Sequence, residues 1–326
     1  EMVIRDWSSD VCSSDLGLDI GLRSQDDGGS GADAGEAIEN SLLIGIGESS
    51  GELKNADDTD FYSVEVSKGQ IVSVQLSTES GGRFYGSFVA EDGGSISGSS
   101  FSRGSPGSID YCVDYTGLLY IKITRSSGEG IYNLNVEVSN QNDADSGSDA
   151  GEEAETAIQI DAGSVAGRLK HSDSEDWFVF QATSGDIITI EADPEDGLNY
   201  SVSLRYTTKQ GIATAGSITI SDNPGEIRYC TKDSGSHYIR IHRSSGEGEY
   251  NFSVLKTPQN DANSGGDAGD SISKSTPLPV VTQFGATYAG TLLSRDNDDW
   301  YVLGTLPSGT LNVTLNASGG RFYLYL

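Results

Sequence analysis

Two kinds of acidic loop carry the strongest chemical signal in this sequence. In Asp143-Ala144-Asp145-Ser146-Gly147-Ser148-Asp149, carboxylates stand at positions 1, 3 and 7 around a glycine. A hard cation such as Ca2+ takes about 6–8 oxygen ligands, and glycine lets a loop wrap tightly enough to converge several of them. The second loop, Asp173-Ser174-Glu175-Asp176, runs directly into Trp177-Phe178, an aromatic pair suited to anchoring it against a core. The competing reading is a solvated acidic linker adapted to high salt.

Other chemistries find little footing. The three histidines are His171, His237 and His242, and no nucleophile motif accompanies them. Serines are abundant but lie in turn clusters, without a G-x-S-x-G elbow or a placeable Ser/His/Asp pattern. Paired carboxylates are so common that no single pair stands out as an acid/base couple. The sequence therefore predicts no enzyme, while leaving room for a catalytic domain elsewhere in a longer gene. Four sequons, at Asn199, Asn251, Asn312 and Asn316, carry little weight as short motifs.

The loops recur because the chain repeats. Gln25–Gly35 returns as Gln141–Gly151 and again as Gln259–Gly269. Asp57-x-x-Asp60-Phe61-Tyr62 matches Asp173-x-x-Asp176-Trp177-Phe178 and Asp296-x-x-Asp299-Trp300-Tyr301. Arg125–Asn133 matches Arg243–Asn251, and the third copy stops before that point. The counterparts of the histidines are Asn55, Leu119 and Thr124, so a histidine base would serve one copy only. Cys112 and Cys230 occupy the same repeat position and have no partner within a copy, which predicts two free, partly buried thiols.

Between the loops the period is two. Trp177–Phe180, Ile187–Ile190, Tyr200–Leu204, Tyr238–Ile241 and Tyr250–Val254 are short β-branched and aromatic runs separated by Ser/Gly turns. Only Ala154–Ile158 has helical flavour. Many short strands without helices to cover them must pack as two sheets face to face. The expected fold is all-β: tandem jelly-roll-like β-sandwich domains at 25–140 and 141–258, with a truncated third copy at 259–326. That third copy keeps Thr287–Leu293, Trp300–Leu303 and Leu311–Leu315 as strand candidates but lacks the partner strands. Residues 1–24 are set aside as a non-native or disordered leader, because 6–16 read as one frame of a common sequencing-library adapter.

The Q-N-D-A-x-S-G-x-D-A-G opening loop (141–151), the D-x-x-D-W-F segment, Ser236-His237-Tyr238-Ile239-Arg240-Ile241 and Gly246-Glu247-Gly248-x-Tyr250-Asn251-Phe252-Ser253-Val254 together resemble the bacterial and archaeal pre-peptidase C-terminal domain. Its relatives include the collagen-binding domains of clostridial collagenases, and the resemblance covers residues 25–326. It implies a jelly-roll-like sandwich used in tandem on secreted proteases and surface proteins. In collagenase-type members an Asn-Asp pair and an Asp-x-x-Asp pair share one Ca2+. Carried over, the ligands are Asn142, Asp143, Asp173 and Asp176, then Asn260, Asp261, Asp296 and Asp299, and in the first copy Asp26, Asp27, Asp57 and Asp60. Those relatives have acidic residues where Val138 and Asn140 stand here, which implies either fewer ligands and a weaker site or compensation by Asp149.

Composition limits the partners. With 20 Lys+Arg against 49 Asp+Glu the net charge is −29, which repels nucleic acid. No apolar run approaches the length of a membrane span. The expected role is a non-catalytic, calcium-supported accessory or spacer array of a secreted or cell-surface protein. The alternative is a module that binds collagen-like protein or polysaccharide, to which the 15 tyrosines would contribute. A second alternative is a fragment of a secreted peptidase.

Overall fold

The computed structural model describes residues 24–78, 82–100, 107–279, 285–306 and 308–325. Of the leader, residues 1–23 lie outside these limits.

The period-two runs become strands wherever a neighbour can take up their backbone groups. The first nine are β1 (Leu42–Leu43), β2 (Gly47–Leu53), β3 (Thr59–Val66), β4 (Gln70–Thr78), β5 (Arg83–Val89), β6 (Ser95–Ser100), β7 (Gly107–Cys112), β8 (Gly117–Ser127) and β9 (Gly130–Asn140). They form a five-stranded sheet, β1-β3-β8-β5-β6, and a four-stranded sheet, β2-β9-β4-β7. The next nine are β10 (Ile158–Gln159), β11 (Gly163–Leu169), β12 (Glu175–Ala182), β13 (Asp186–Ala192), β14 (Leu198–Thr208), β15 (Gly211–Ile220), β16 (Gly225–Cys230), β17 (Gly235–Gly246) and β18 (Gly248–Pro258). They repeat both orders, as β10-β12-β17-β14-β15 and β11-β18-β13-β16. The protein is all-β, and the helical flavour of Ala154–Ile158 amounts to one 3-10 turn, Ala154–Thr156. By chain contacts the molecule groups into two compact units. One comprises residues 1–66, 72–110 and 116–138, and the other 67–71, 111–115 and 139–326.

Alternation sends every second side chain inward. In the second sandwich, Phe178 and Phe180 of β12, Ile239 and Ile241 of β17, and Tyr250, Phe252 and Val254 of β18 belong to one buried cluster. The rings of Phe178 and Phe252 meet across the two sheets at 5.4 Å. His237 is part of this packing rather than of a catalytic group. It is buried between Phe180 and Tyr229, and burial lowers its imidazole pKa. Cys112 and Cys230 are both buried and free. Six of the 15 tyrosines are buried, Tyr62, Tyr132, Tyr200, Tyr229 and Tyr250 among the largest fully buried side chains, and the other nine are half-buried or exposed.

Among the described residues, the third copy forms one short parallel pair, β19 (Thr276–Pro277) with β20 (Tyr301–Val302). Thr287–Leu293 and Leu311–Leu315, expected as strands, are not strands. Their counterparts β11 and β13 hydrogen-bond to β18, and the third copy has no sequence equivalent of β18. A strand without a partner leaves its N–H and C=O groups to water and gains nothing over coil. Leu306, Leu311, Val313, Leu315 and Tyr323–Tyr325 are accordingly exposed.

Limited proteolysis should therefore cut first within 303–325, while fragments spanning β10–β18 persist. Equal resistance of both regions, in a demonstrated monomer, would show that the third copy needs no further strands.

Candidate metal centre

Each copy builds the same small structure from its opening loop. Asp27, Asp143 and Asp261 start a 3-10 turn, and their backbone N–H groups donate to Ala32, Ser148 and Gly266 carbonyls at 2.9–3.0 Å. The turn needs a left-handed residue at its second position. Gly28 supplies it freely, whereas Ala144 and Ala262 adopt φ of 52° there. An L-residue in that region costs about 1–2 kcal/mol, which the closed loop must offset.

The leading aspartate is a strut. Asp143 Oδ1 accepts from Arg168 N–H and Oδ2 from Ala150 N–H, both at 3.0 Å. Asp27 does the same with Glu52 and Ala34, and Asp261 with Thr291 and Ala268. The opening loop then catches the second acidic loop. Backbone N–H groups of Phe61, Trp177 and Trp300 donate to Gly35, Gly151 and Gly269 carbonyls at 3.0–3.1 Å. Both loops of each copy are thereby held together, in the third copy even without a sandwich.

Three carboxylates per copy converge as a result: Asp27, Asp33 and Asp60; Asp143, Asp149 and Asp176; Asp261, Asp267 and Asp299. In each triplet one oxygen per residue lies within 4.8 Å of the others. The last member is restrained by a tyrosine. Tyr250 donates to Asp176 Oδ2 at 2.6 Å, Tyr301 to Asp299 Oδ2 at 3.2 Å, and Tyr132 to Asp60 Oδ2 while meeting Tyr62 OH at 2.5 Å. The other oxygen, Oδ1 of Asp60, Asp176 and Asp299, is buried without a hydrogen-bond partner, as are Oδ1 of Asp149 and Asp267. Glycine makes the approach possible. A Cβ on Gly167 would stand 2.2 Å from the Tyr250 hydroxyl and 2.8 Å from Asp143 Oδ1, and Gly51 and Gly290 hold equivalent places.

The first aspartates of the Asp-x-x-Asp pairs stand beside the triplets. Gln25 donates to Asp57, and Gln259 donates to Asp296 at 2.6 Å, leaving Oδ1 of each buried and unpartnered. Neither oxygen of Asp173 has a partner of good geometry, although Gln141 lies close enough to favour its ionised form. Asn142, Asp26 and Asn260 are not brought in. Their Oδ1 atoms accept from Gly147, Gly31 and Gly265 N–H at 2.6–2.7 Å, so they close the turn from its exposed side. Sequence reasoning picked out Asp149 but not its repeat counterparts Asp33 and Asp267, nor the glutamines and tyrosines. The alignment of the three copies held that signal.

Burial is the leading cause of the electrostatic state. It pushes Asp60 up to about 8, with Asp27, Asp57 and Asp33 adding repulsion against the Tyr132 hydrogen bond. Asp143 rises to about 6 and Asp299 to about 7, while burial and then the Asp149 charge raise Asp173, and burial and then the Asp173 charge raise Asp176. Arg168 and Lys170 pair with Glu249 and Glu247, while Arg168 also favours the ionised form of Asp143 and Lys68 that of Asp149. A cluster of this kind holds either protons or a cation bound by oxygen.

No family model matches this chain, and no curated protein does. Solved structures do. A pre-peptidase C-terminal domain of collagenase from Bacillus anthracis is similar over 29% of this chain and 93% of its own, at 20% identity and TM-score 0.27. The CBM22-1–CBM22-2 tandem domain of Paenibacillus barcinonensis Xyn10C covers 65% of this chain and 86% of its own, at 9% identity and TM-score 0.23. The M60 catalytic domain with CBM51-1 and CBM51-2 from Clostridium perfringens ZmpB covers 77% and 38%, at 8% identity and TM-score 0.21. At these scores none of them bears on function.

The carboxylates fix a pH dependence. A folded-state pKa raised from 3.8 to about 8 means that Asp60 binds more protons folded than unfolded between those values. Its stabilising contribution is complete below 3.8 and is lost as pH rises through about 8. In chelator the melting temperature should fall across that window, and saturating calcium should flatten the fall by holding the carboxylates ionised. A melting temperature in chelator that rises across the window would contradict the arrangement.

Proposed function

We propose that this chain is a non-catalytic array of calcium-supported β-sandwich modules, serving as accessory or spacer segments of a secreted or cell-surface protein. Attachment to a protease is one use this reading covers. The observation that carries it is the threefold recurrence of buried, unpartnered aspartate oxygens around one small space. An isolated acidic cluster is ordinary surface chemistry. Buried oxygens left without donors cost about 1–3 kcal/mol each, and the same cost at the same place in three copies points to a ligand.

The donor set favours Ca2+. All the converging atoms are carboxylate oxygens, which suits a hard cation of permissive coordination geometry. The residues that would hold it are Asp27, Asp33, Asp57 and Asp60; Asp143, Asp149, Asp173 and Asp176; and Asp261, Asp267, Asp296 and Asp299. When bound, the cation supplies positive charge that ties the opening loop to the Asp-x-x-Asp loop. The chain's own residues supply the rest: glycine gives space, tyrosine and glutamine orient one oxygen of an aspartate, and backbone N–H groups fix the strut.

No nucleic-acid partner fits a net charge of −29. No helix among the described residues is long and apolar enough to cross a membrane. The alternative of collagen or polysaccharide recognition cannot draw on the six tyrosines spent in the cores and would rest on the nine that are half-buried or exposed. Retention on insoluble polysaccharide or collagen, abolished by aromatic-to-alanine changes, would revive it.

Extracellular modules bind calcium at about 10⁻⁴–10⁻³ M, so millimolar calcium adds about 1.4 kcal/mol at a site near the tighter end. The protein should melt several degrees higher in calcium than in chelator at fixed ionic strength. Asp176→Asn should melt higher than wild type in chelator, because a buried unpaired charge is gone, and should lose part of the calcium shift. Asp145→Asn, exposed and outside the triplet, should change neither. Identical melting curves with and without calcium would remove the proposed site.

A further inference from the structure

The cluster of the third copy is joined to the second sandwich through both of its loops. On the opening-loop side, Gln259 N–H donates to the Gly185 carbonyl at 2.8 Å, and Lys232 pairs with Asp270 at 2.9 Å. The Gln259 side chain links the two copies directly. Its Oε1 accepts from the Cys230 thiol at 2.9 Å, and its Nε2 donates to Asp296 Oδ2 at 2.6 Å and to Thr291 O at 3.0 Å. On the Asp-x-x-Asp side, Arg295 donates to Tyr229 OH at 2.9 Å and lies 4.5 Å from the Tyr206 ring centroid. Arg295 holds a φ of 71° to do so, a left-handed conformation unusual for a long side chain. Cys230, Tyr229 and Lys232 lie at or just beyond the end of β16, so the two arms grip neighbouring residues of one strand end.

We infer that cation binding at Asp261, Asp267, Asp296 and Asp299 closes a clasp that seats the third copy on the second sandwich, making the junction between successive copies calcium-dependent. This rests on the calcium reading above and goes beyond it, because stabilising a loop does not require coupling to a neighbour. The physical link is direct. The two arms each carry part of the carboxylate cluster, Asp261 and Asp267 on one and Asp296 and Asp299 on the other. Asp296 is 2% exposed and keeps an unpartnered Oδ1, as does Asp299 on the same arm, so the face between the arms holds carboxylate oxygens with no donor. A cation shared between the arms adds an attraction to the contacts that already seat both on the strand end. Coupling of this kind is reciprocal: seating the copy must raise its affinity for the cation. In an array, the occupied junction is stiff and the empty one is released.

Cys230 reports on the junction. It is 2% exposed, and burial with nearby Asp296 and Asp267 raises its thiol pKa to about 12, so it reacts only when the junction opens. The full chain is alkylated in millimolar calcium and in chelator, and modification is followed by peptide-resolved mass spectrometry. Cys230 should react about tenfold more slowly in calcium, the factor expected of a ligand at ten times its dissociation constant. Asp299→Asn should abolish that protection and bind one cation fewer by calorimetry, while the rate at Cys112 stays that of wild type and shows the variant folded. Arg295→Ala should bind calcium yet leave Cys230 reacting faster than in wild type. Equal Cys230 rates with and without calcium, alongside a calorimetric difference between wild type and Asp299→Asn, would overturn the clasp and leave the cation site standing. No calorimetric difference between them would overturn the site itself, and the clasp with it.

Discussion

Carboxylates buried beside one another are the constraint around which this molecule is arranged. Two or three like charges a few ångströms apart in a medium of low dielectric repel strongly, and neighbouring cations such as Arg168 and Lys68 offset only part of this at Asp143 and Asp149. Burial, with the neighbouring charges adding to it, raises Asp60, Asp143 and Asp299, and proton uptake relieves both costs. A divalent cation relieves the repulsion more completely and at neutral pH. On the calcium reading the two exchange: Asp60 and Asp173, raised by burial to about 8, hold protons at neutral pH without a cation and would be ionised around one.

The sandwich exists in part to hold that tension. Tyr132 and Tyr250 reach the aspartates from β9 and β18, strands of the four-stranded sheets, whereas Asp60 and Asp176 sit on β3 and β12 of the five-stranded sheets. One hydrogen bond thus spans the core and fixes the carboxylate against both layers. The substitution of Phe178 for Tyr62 between copies shows which part is dispensable. The Tyr62–Tyr132 hydroxyl contact disappears, while the tyrosine-to-aspartate bond remains.

The third copy separates site from scaffold. It lacks β18 and its partners, yet Asp261, Asp267 and Asp299 still converge, because the opening loop, the parallel β19–β20 pair and the Trp300–Gly269 hydrogen bond are all local. Tyr301, two residues beyond Asp299 and at the start of β20, takes the role of the cross-sheet tyrosine, at a longer 3.2 Å. Site formation needs two loops and one pairing. A closed hydrophobic core needs the distant strands.

Much of the fold was legible in the chain itself. Period-two runs separated by glycine turns allow little besides paired sheets, and the recurrence of Gln25–Gly35 at 141 and 259 marked the modular plan without any structural knowledge. The acidic loops were also visible, since Asp-x-x-Asp before an aromatic pair is a strong local pattern. What the chain could not disclose is how oxygens are allocated. Asn142 looks like a ligand and closes a turn; Asp33 and Asp267 look like linker residues and complete the triplets; Gln259 looks like the start of a loop and ties Asp296 to Cys230. Local spacing determines which strands and turns form, because those depend on near neighbours. Which carboxylate oxygen is left bare depends on donors that arrive from other strands and loops, tens of residues away, and only tertiary packing decides where they land.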